Sequence, residues 1–79
     1  MSLPTITVYS KPSCPQCDWT KRGLNKHGIQ YSEVDITQDA DALAQIKNEG
    51  FASAPVVFAG TEKWSGFRPD KIKELAALV

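Results

Sequence analysis

Cysteine is scarce in this chain. Only two occur among 79 residues, at Cys14 and Cys17. A bond between them closes too small a loop to restrict the unfolded chain much, so they are not structural staples. Histidine is scarcer still, with His27 alone. One chain therefore lacks the four ligands that a structural zinc or iron–sulfur site usually needs. Charge of one sign is not in excess, because nine basic side chains cancel nine acidic ones. That balance argues against a nucleic-acid partner and against a polybasic membrane-binding surface. No apolar run approaches the roughly 20 residues that span a bilayer. The start, Met1-Ser2-Leu3-Pro4, lacks a charged segment followed by an apolar one, so no secretory leader is read there. The expected setting is the cytoplasm, where a vicinal cysteine pair is usually catalytic or metal-binding. The length fits a single domain over residues 1–79. A chain of this size buries only about 60% of its unfolded surface, which makes its core marginal.

What is present alternates between strand and helix signals. Thr5 to Ser10 is β-branched and aromatic and reads as a strand, broken by Lys11-Pro12-Ser13. A helix is predicted from Pro15 to about Lys26, with Gly28 in the position that ends it. Residues 29–36 alternate apolar and polar and read as a second strand. Thr37 or Asp39 caps the next helix, which runs to about Glu49 and presents Ala40, Leu43, Ala44 and Ile46 as its apolar stripe. Residues 54–59 form a short central strand with Pro55 at its first position. Gly60-Thr61 turns the chain into an edge strand, Glu62 to Ser65. Pro69 sits in the first turn of a last helix, whose buried stripe is read as Ile72, Leu75, Ala76 and Leu78. The order β-α-β-α-β-β-α predicts an α/β fold: a four-stranded mixed sheet with helices on both faces.

The cysteines fall where the first strand becomes the first helix. Residues three apart on a helix have Cβ atoms about 5–6 Å apart, close to disulfide reach. Cys14 at the helix N-terminus meets a partial positive charge and unpaired N–H groups, which favour its thiolate. Cys14 is thus the expected attacking sulfur. Cys17, one turn deeper, resolves the mixed disulfide, and Lys11 adds positive charge nearby. Two other readings of the pair remain: ordinary core cysteines, or half of an iron–sulfur or zinc site shared by two chains.

The segment Thr7-Val8-Tyr9-Ser10-Lys11-Pro12-Ser13-Cys14-Pro15-Gln16-Cys17 resembles the active-site segment of glutaredoxins, and among them the NrdH-redoxins. Ala54-Pro55-Val56 resembles the cis-proline segment of that family. Trp64-Ser65-Gly66-Phe67-Arg68-Pro69 is similar to its most distinctive motif. The resemblance implies a thioredoxin-like fold and a redox-active Cys14–Cys17 disulfide. It implies electrons from NADPH through thioredoxin reductase, a class Ib ribonucleotide reductase as recipient, and no bound cofactor or metal. A monomer is expected.

The resemblance also places partner-binding residues. Lys11, Pro15 and Gln16 flank the cysteines. A cis Ala54–Pro55 bond would bring Pro55 against them and turn the Ala54 backbone toward an extended substrate segment. Ser65, Gly66, Phe67 and Arg68 complete the surface, with Gly66 allowing close backbone approach. Arg68 stands where glutathione-dependent relatives carry an acidic pair. It would repel glutathione's ammonium, or else only brace the last helix; a glutathione-dependent glutaredoxin is the alternative function. Trp64 packs, with its indole N–H expected to find a partner near the last turn. Phe67 is read either as packing or as contact surface, and so is Trp19. Asp18 either stabilises the helix dipole or accepts a proton during resolution.

Overall fold

The computed structural model describes residues 5–78. The reading of Met1 to Pro4 lies outside them. Seven elements follow in order: β1 (Ile6–Ser10), α1 (Pro15–Lys26), β2 (Ser32–Asp35), α2 (Ala40–Asn48), β3 (Val56–Ala59), β4 (Glu62–Ser65) and α3 (Pro69–Ala76). The strands form one mixed sheet in the order β2-β1-β3-β4. β1 runs parallel to β2, and β3 is antiparallel to both its neighbours.

The sheet divides the core in two. On one face Ile6, Val8, Val57 and Trp64 pack against Leu24 of α1 and Ile72 and Leu75 of α3. On the other, Tyr9, Val56 and the partly buried Phe58 meet Ala42 and Ile46 of α2. Strand alternation supplies both layers, because successive side chains of β1 and β3 point to opposite faces. Gly23 lets α1 and α3 come close: a Cβ there would lie 2.9 Å from Ile72 Cδ1.

Local signals set the helix ends. Asp39 caps α2 through Oδ1, which accepts the Ala42 N–H at 3.0 Å. Both α1 and α2 finish in the same hydrogen-bonded stop. Gly28 N–H donates to Asn25 O and Ile29 N–H to Leu24 O. Gly50 N–H donates to Lys47 O and Phe51 N–H to Ile46 O.

Three expectations are corrected. β2 begins at Ser32, not Ile29, because the α1 stop takes the Ile29 N–H and its side chain packs beside Leu24. On α2 the sheet-facing residues are Ala42, Leu43 and Ile46, while Ala40 and Ala44 are exposed. Ile46 sets the phase, and Ala42 lies one turn before it on the same face. Leu78 is 61% exposed, not buried, because α3 ends at Ala76 and the chain leaves the helix before another turn faces the sheet.

Candidate active site

The carboxyl end of β1 leads into the loop 11–13, and Ser13 takes a positive φ of 55°. That conformation is uncommon for a non-glycine residue. It turns the chain so that Cys14 becomes the N-cap of α1, followed by Pro15 at the first helical position. Cys14 and Cys17 are joined as a disulfide with Cα atoms 5.2 Å apart. Cys14 Sγ also accepts the Cys17 backbone N–H at 3.1 Å, so a sulfur holds the place that serine or aspartate usually holds at a helix start. The expected asymmetry is present: Cys17 is 1% exposed and Cys14 8%.

Two other loops reach this end of the sheet. The Ala54–Pro55 peptide is cis, as the resemblance implied, and Pro55 is buried just before the β3 ladder begins at Val56. Pro55 O accepts the Gly66 N–H at 2.9 Å. Gly66 has φ of 80°, and a Cβ there would lie 3.4 Å from Gln16 Oε1. The next N–H, that of Phe67, donates to the same Gln16 Oε1 at 3.1 Å. Gln16 therefore ties the dithiol turn to the 65–68 loop, and Gly66 ties that loop to Pro55. This brace joins residues 51 positions apart, which no local pattern announces.

The remaining candidates sort by their contacts. Lys11 and Pro15 are exposed beside Cys14, and Lys11 pairs with no carboxylate among the described residues. Ser65 is exposed at the end of β4, opposite Val56. Phe67 stays 36% exposed and meets the 49% exposed Trp19 edge to face, with ring centroids 5.9 Å apart. Both residues are surface, not core. Arg68 holds the N-cap position of α3 without a cap hydrogen bond from its side chain. Its guanidinium grips Asp70 with both prongs, Nε to Oδ1 at 3.1 Å and Nη2 to Oδ2 at 2.9 Å. Those bonds hold the Asp70 carboxyl below the usual carboxylate range. The bracing contact anticipated for Arg68 is formed, and its guanidinium is half of an ion pair with α3.

Trp64 corrects an expectation. It is buried among aliphatic side chains, and its indole N–H meets no acceptor among the described residues. The neighbours that bury the ring, Leu24, Ile72 and Leu75 among them, carry no side-chain acceptor.

A polar cluster beside α1 went unread in the sequence. Glu33 Oε2 accepts from Ser10 Oγ at 2.8 Å and from Lys21 Nζ at 2.9 Å, and Lys21 lies 3.7 Å from Asp18 Oδ1. The Lys21 hydrogen bond, then the Ser10 one, lowers the Glu33 pKa; the same Glu33 contact raises that of Lys21. The β1–β2 register and the packing of α1 beside β2 bring these residues together. Asp18 itself is an exposed first-turn carboxylate of α1.

The glutaredoxin family's sequence pattern matches residues 6–64, three quarters of the chain and all of the site except the 65–68 loop. The chain belongs to the glutaredoxin family. Within it, the glutaredoxin-like protein NrdH of Salmonella typhimurium is 41% identical over 71 residues, covering 90% of this chain and 88% of that one. The NrdH of Lactococcus lactis subsp. cremoris is 37% identical over 71 residues, covering 90% and 99%. The solved NrdH-redoxin of Escherichia coli, described as a glutaredoxin-like protein with a thioredoxin-like activity profile, superposes with a TM-score of 0.87. It shares 38% identity over 90% of this chain and 93% of its own. The fold is thus thioredoxin-like, and the protein is an NrdH-like thiol–disulfide oxidoreductase with its Cys14–Cys17 pair at bonding distance.

Proposed function

We propose that this glutaredoxin-family protein carries electrons from NADPH, through thioredoxin reductase, to protein disulfides, with a class Ib ribonucleotide reductase as its recipient in the cytoplasm. The observation that carries the chemistry is Cys14 as the N-cap of α1, its sulfur facing the Cys17 N–H. In the reduced form that N–H and the helix terminus stabilise a Cys14 thiolate. The thiolate attacks a partner disulfide, forms a Cys14–partner disulfide and releases one partner thiolate. Cys17 then loses its proton to solvent and attacks Cys14 Sγ. The Cys14–Cys17 bond closes and the second partner thiolate leaves. Two electrons pass to the partner, whose departing thiolates take protons from solvent, and the reductase returns two electrons to the pair. The protein acts as a monomer and needs no resident cofactor. Ala54, which precedes the ladder, offers backbone for an extended partner segment.

The choice of reductant is supported at residues 65–70. The one carboxylate among those residues, Asp70 in the first turn of α3, is paired with Arg68 and so is not free for glutathione's ammonium. The relatives named NrdH and the thioredoxin-like activity profile of the Escherichia coli protein support the same reading. The test is NADPH oxidation coupled to disulfide reduction. Turnover is expected with thioredoxin reductase. Turnover with glutathione and glutathione reductase, and none with thioredoxin reductase, would make it a glutathione-dependent glutaredoxin instead.

A further inference from the structure

Trp19 and Phe67 are two of the three large apolar side chains that the described residues expose, and they lean on each other. They line a shallow apolar cleft together with Gly23, Arg22 and Lys26. A second depression, lined by Cys14, Ser13 and Pro15, shares Trp19 and Arg22 with the first, so the two adjoin beside the reactive sulfur. Asp18 also borders the sulfur, with Lys21 3.7 Å away.

The charged part of that lining is unspent. Neither Arg22 nor Lys26 forms an ion pair among the described residues, whereas Lys21, Lys63, Arg68 and Lys71 all do. Trp19, Arg22, Gly23 and Lys26 follow at spacings of three, one and three, which places them on one face of α1. The 12 residues of α1 extend about 18 Å. That length matches five or six residues of extended chain at about 3.3 Å each.

We propose, resting on the disulfide-reductase reading above, that this face of α1 docks a partner segment whose cysteine has an apolar side chain and then carboxylates beside it. The apolar side chain fills the Trp19–Phe67 cleft, and the carboxylates meet Arg22 and Lys26. A second copy of this chain is the poorer occupant. A two-fold contact here would set Arg22 and Lys26 against their own kind.

The probes are synthetic peptides, each with one cysteine as a nitrothiobenzoate mixed disulfide. One carries Leu then two Glu after the cysteine, one Leu then two Lys, and one Ser then two Glu. Release of nitrothiobenzoate by the reduced protein reads the attack by Cys14. The Leu-Glu peptide is expected to react about fivefold faster than the Leu-Lys peptide at low ionic strength, with the gap closing as salt is added. In the Arg22→Glu/Lys26→Glu protein the order of the two should reverse. Trp19→Ala should bring the Leu-Glu peptide down to the rate of the Ser-Glu peptide. Equal rates for the acidic and basic peptides, or a ratio that the double substitution leaves alone, would overturn the surface. So would a wild-type dimer that Trp19→Ala converts to monomer. Hydroxyethyl disulfide, small and neutral, checks the underlying reading separately. Its reduction without any peptide preference sinks the docking surface alone; no reduction sinks the reductase reading and the surface with it.

Discussion

Cys14 and Cys17 are both buried, yet their surroundings offer a negative charge different things. Cys14 faces an N–H and the helix terminus, while Cys17 sits within the first turn. Cys14→Ser should therefore abolish disulfide reduction. Cys17→Ser should keep the first attack and accumulate a partner–Cys14 disulfide, visible as an added mass that thiol reagents remove. A conjugate held through Cys17 in the Cys14→Ser protein would reverse the roles. Alkylation of the reduced protein should reach half its maximal rate below the pH of about 8.5 at which an ordinary thiol ionises. These assignments were legible because they need only four consecutive residues and the strand-to-helix junction around them. The indole N–H of Trp64 was not, since an acceptor depends on which side chains the fold brings around it.

α1 and α2 begin and end where their caps lie, and caps are local chemistry. Removing the one at α2, with Asp39→Ala, should cost about 1 kcal/mol in denaturant unfolding. Helix boundaries were accordingly readable to within a residue or two. The start of β2 was not, because Ile29 is apolar for a helix stop and not for a strand. Gln16 shows the other limit. Its place between the cysteines was plain, but its bond to the Phe67 N–H depends on the 65–68 loop arriving from across the sheet. Gln16→Ala should leave the secondary structure intact and speed amide exchange at Phe67. Unchanged protection at that amide would count against the brace.

At the scale of the molecule, the polar side-chain contacts that cross between elements are few among the described residues, and the Ser10–Glu33–Lys21 cluster joins β1, β2 and α1. Glu33 has a lowered pKa, so its contribution is present above its ordinary value near 4.5 and is lost as pH falls through the folded one. Lys21 has a raised pKa, so its share is present below 10.5 and is lost as pH rises beyond. With side chains 25% and 43% exposed, solvent screens the pair. Glu33→Gln should cost roughly 0.5 kcal/mol at pH 7 and almost nothing at pH 2, as read by thermal unfolding. The sheet order was legible from the alternation of elements, while such cross-links wait on register. That register also gives the molecule two unlike ends. β1 and α1 meet at Cys14, and Tyr9, Val56 and Ser65 line up toward it, whereas Ile6, Ala59 and Glu62 line up at the opposite edge, next to the exposed Gly60-Thr61 turn. A tether or dye attached at Thr61 would leave the cysteines pointing away from it. The protein could be fixed to an electrode or a bead by that turn with its reactive end free to the solution.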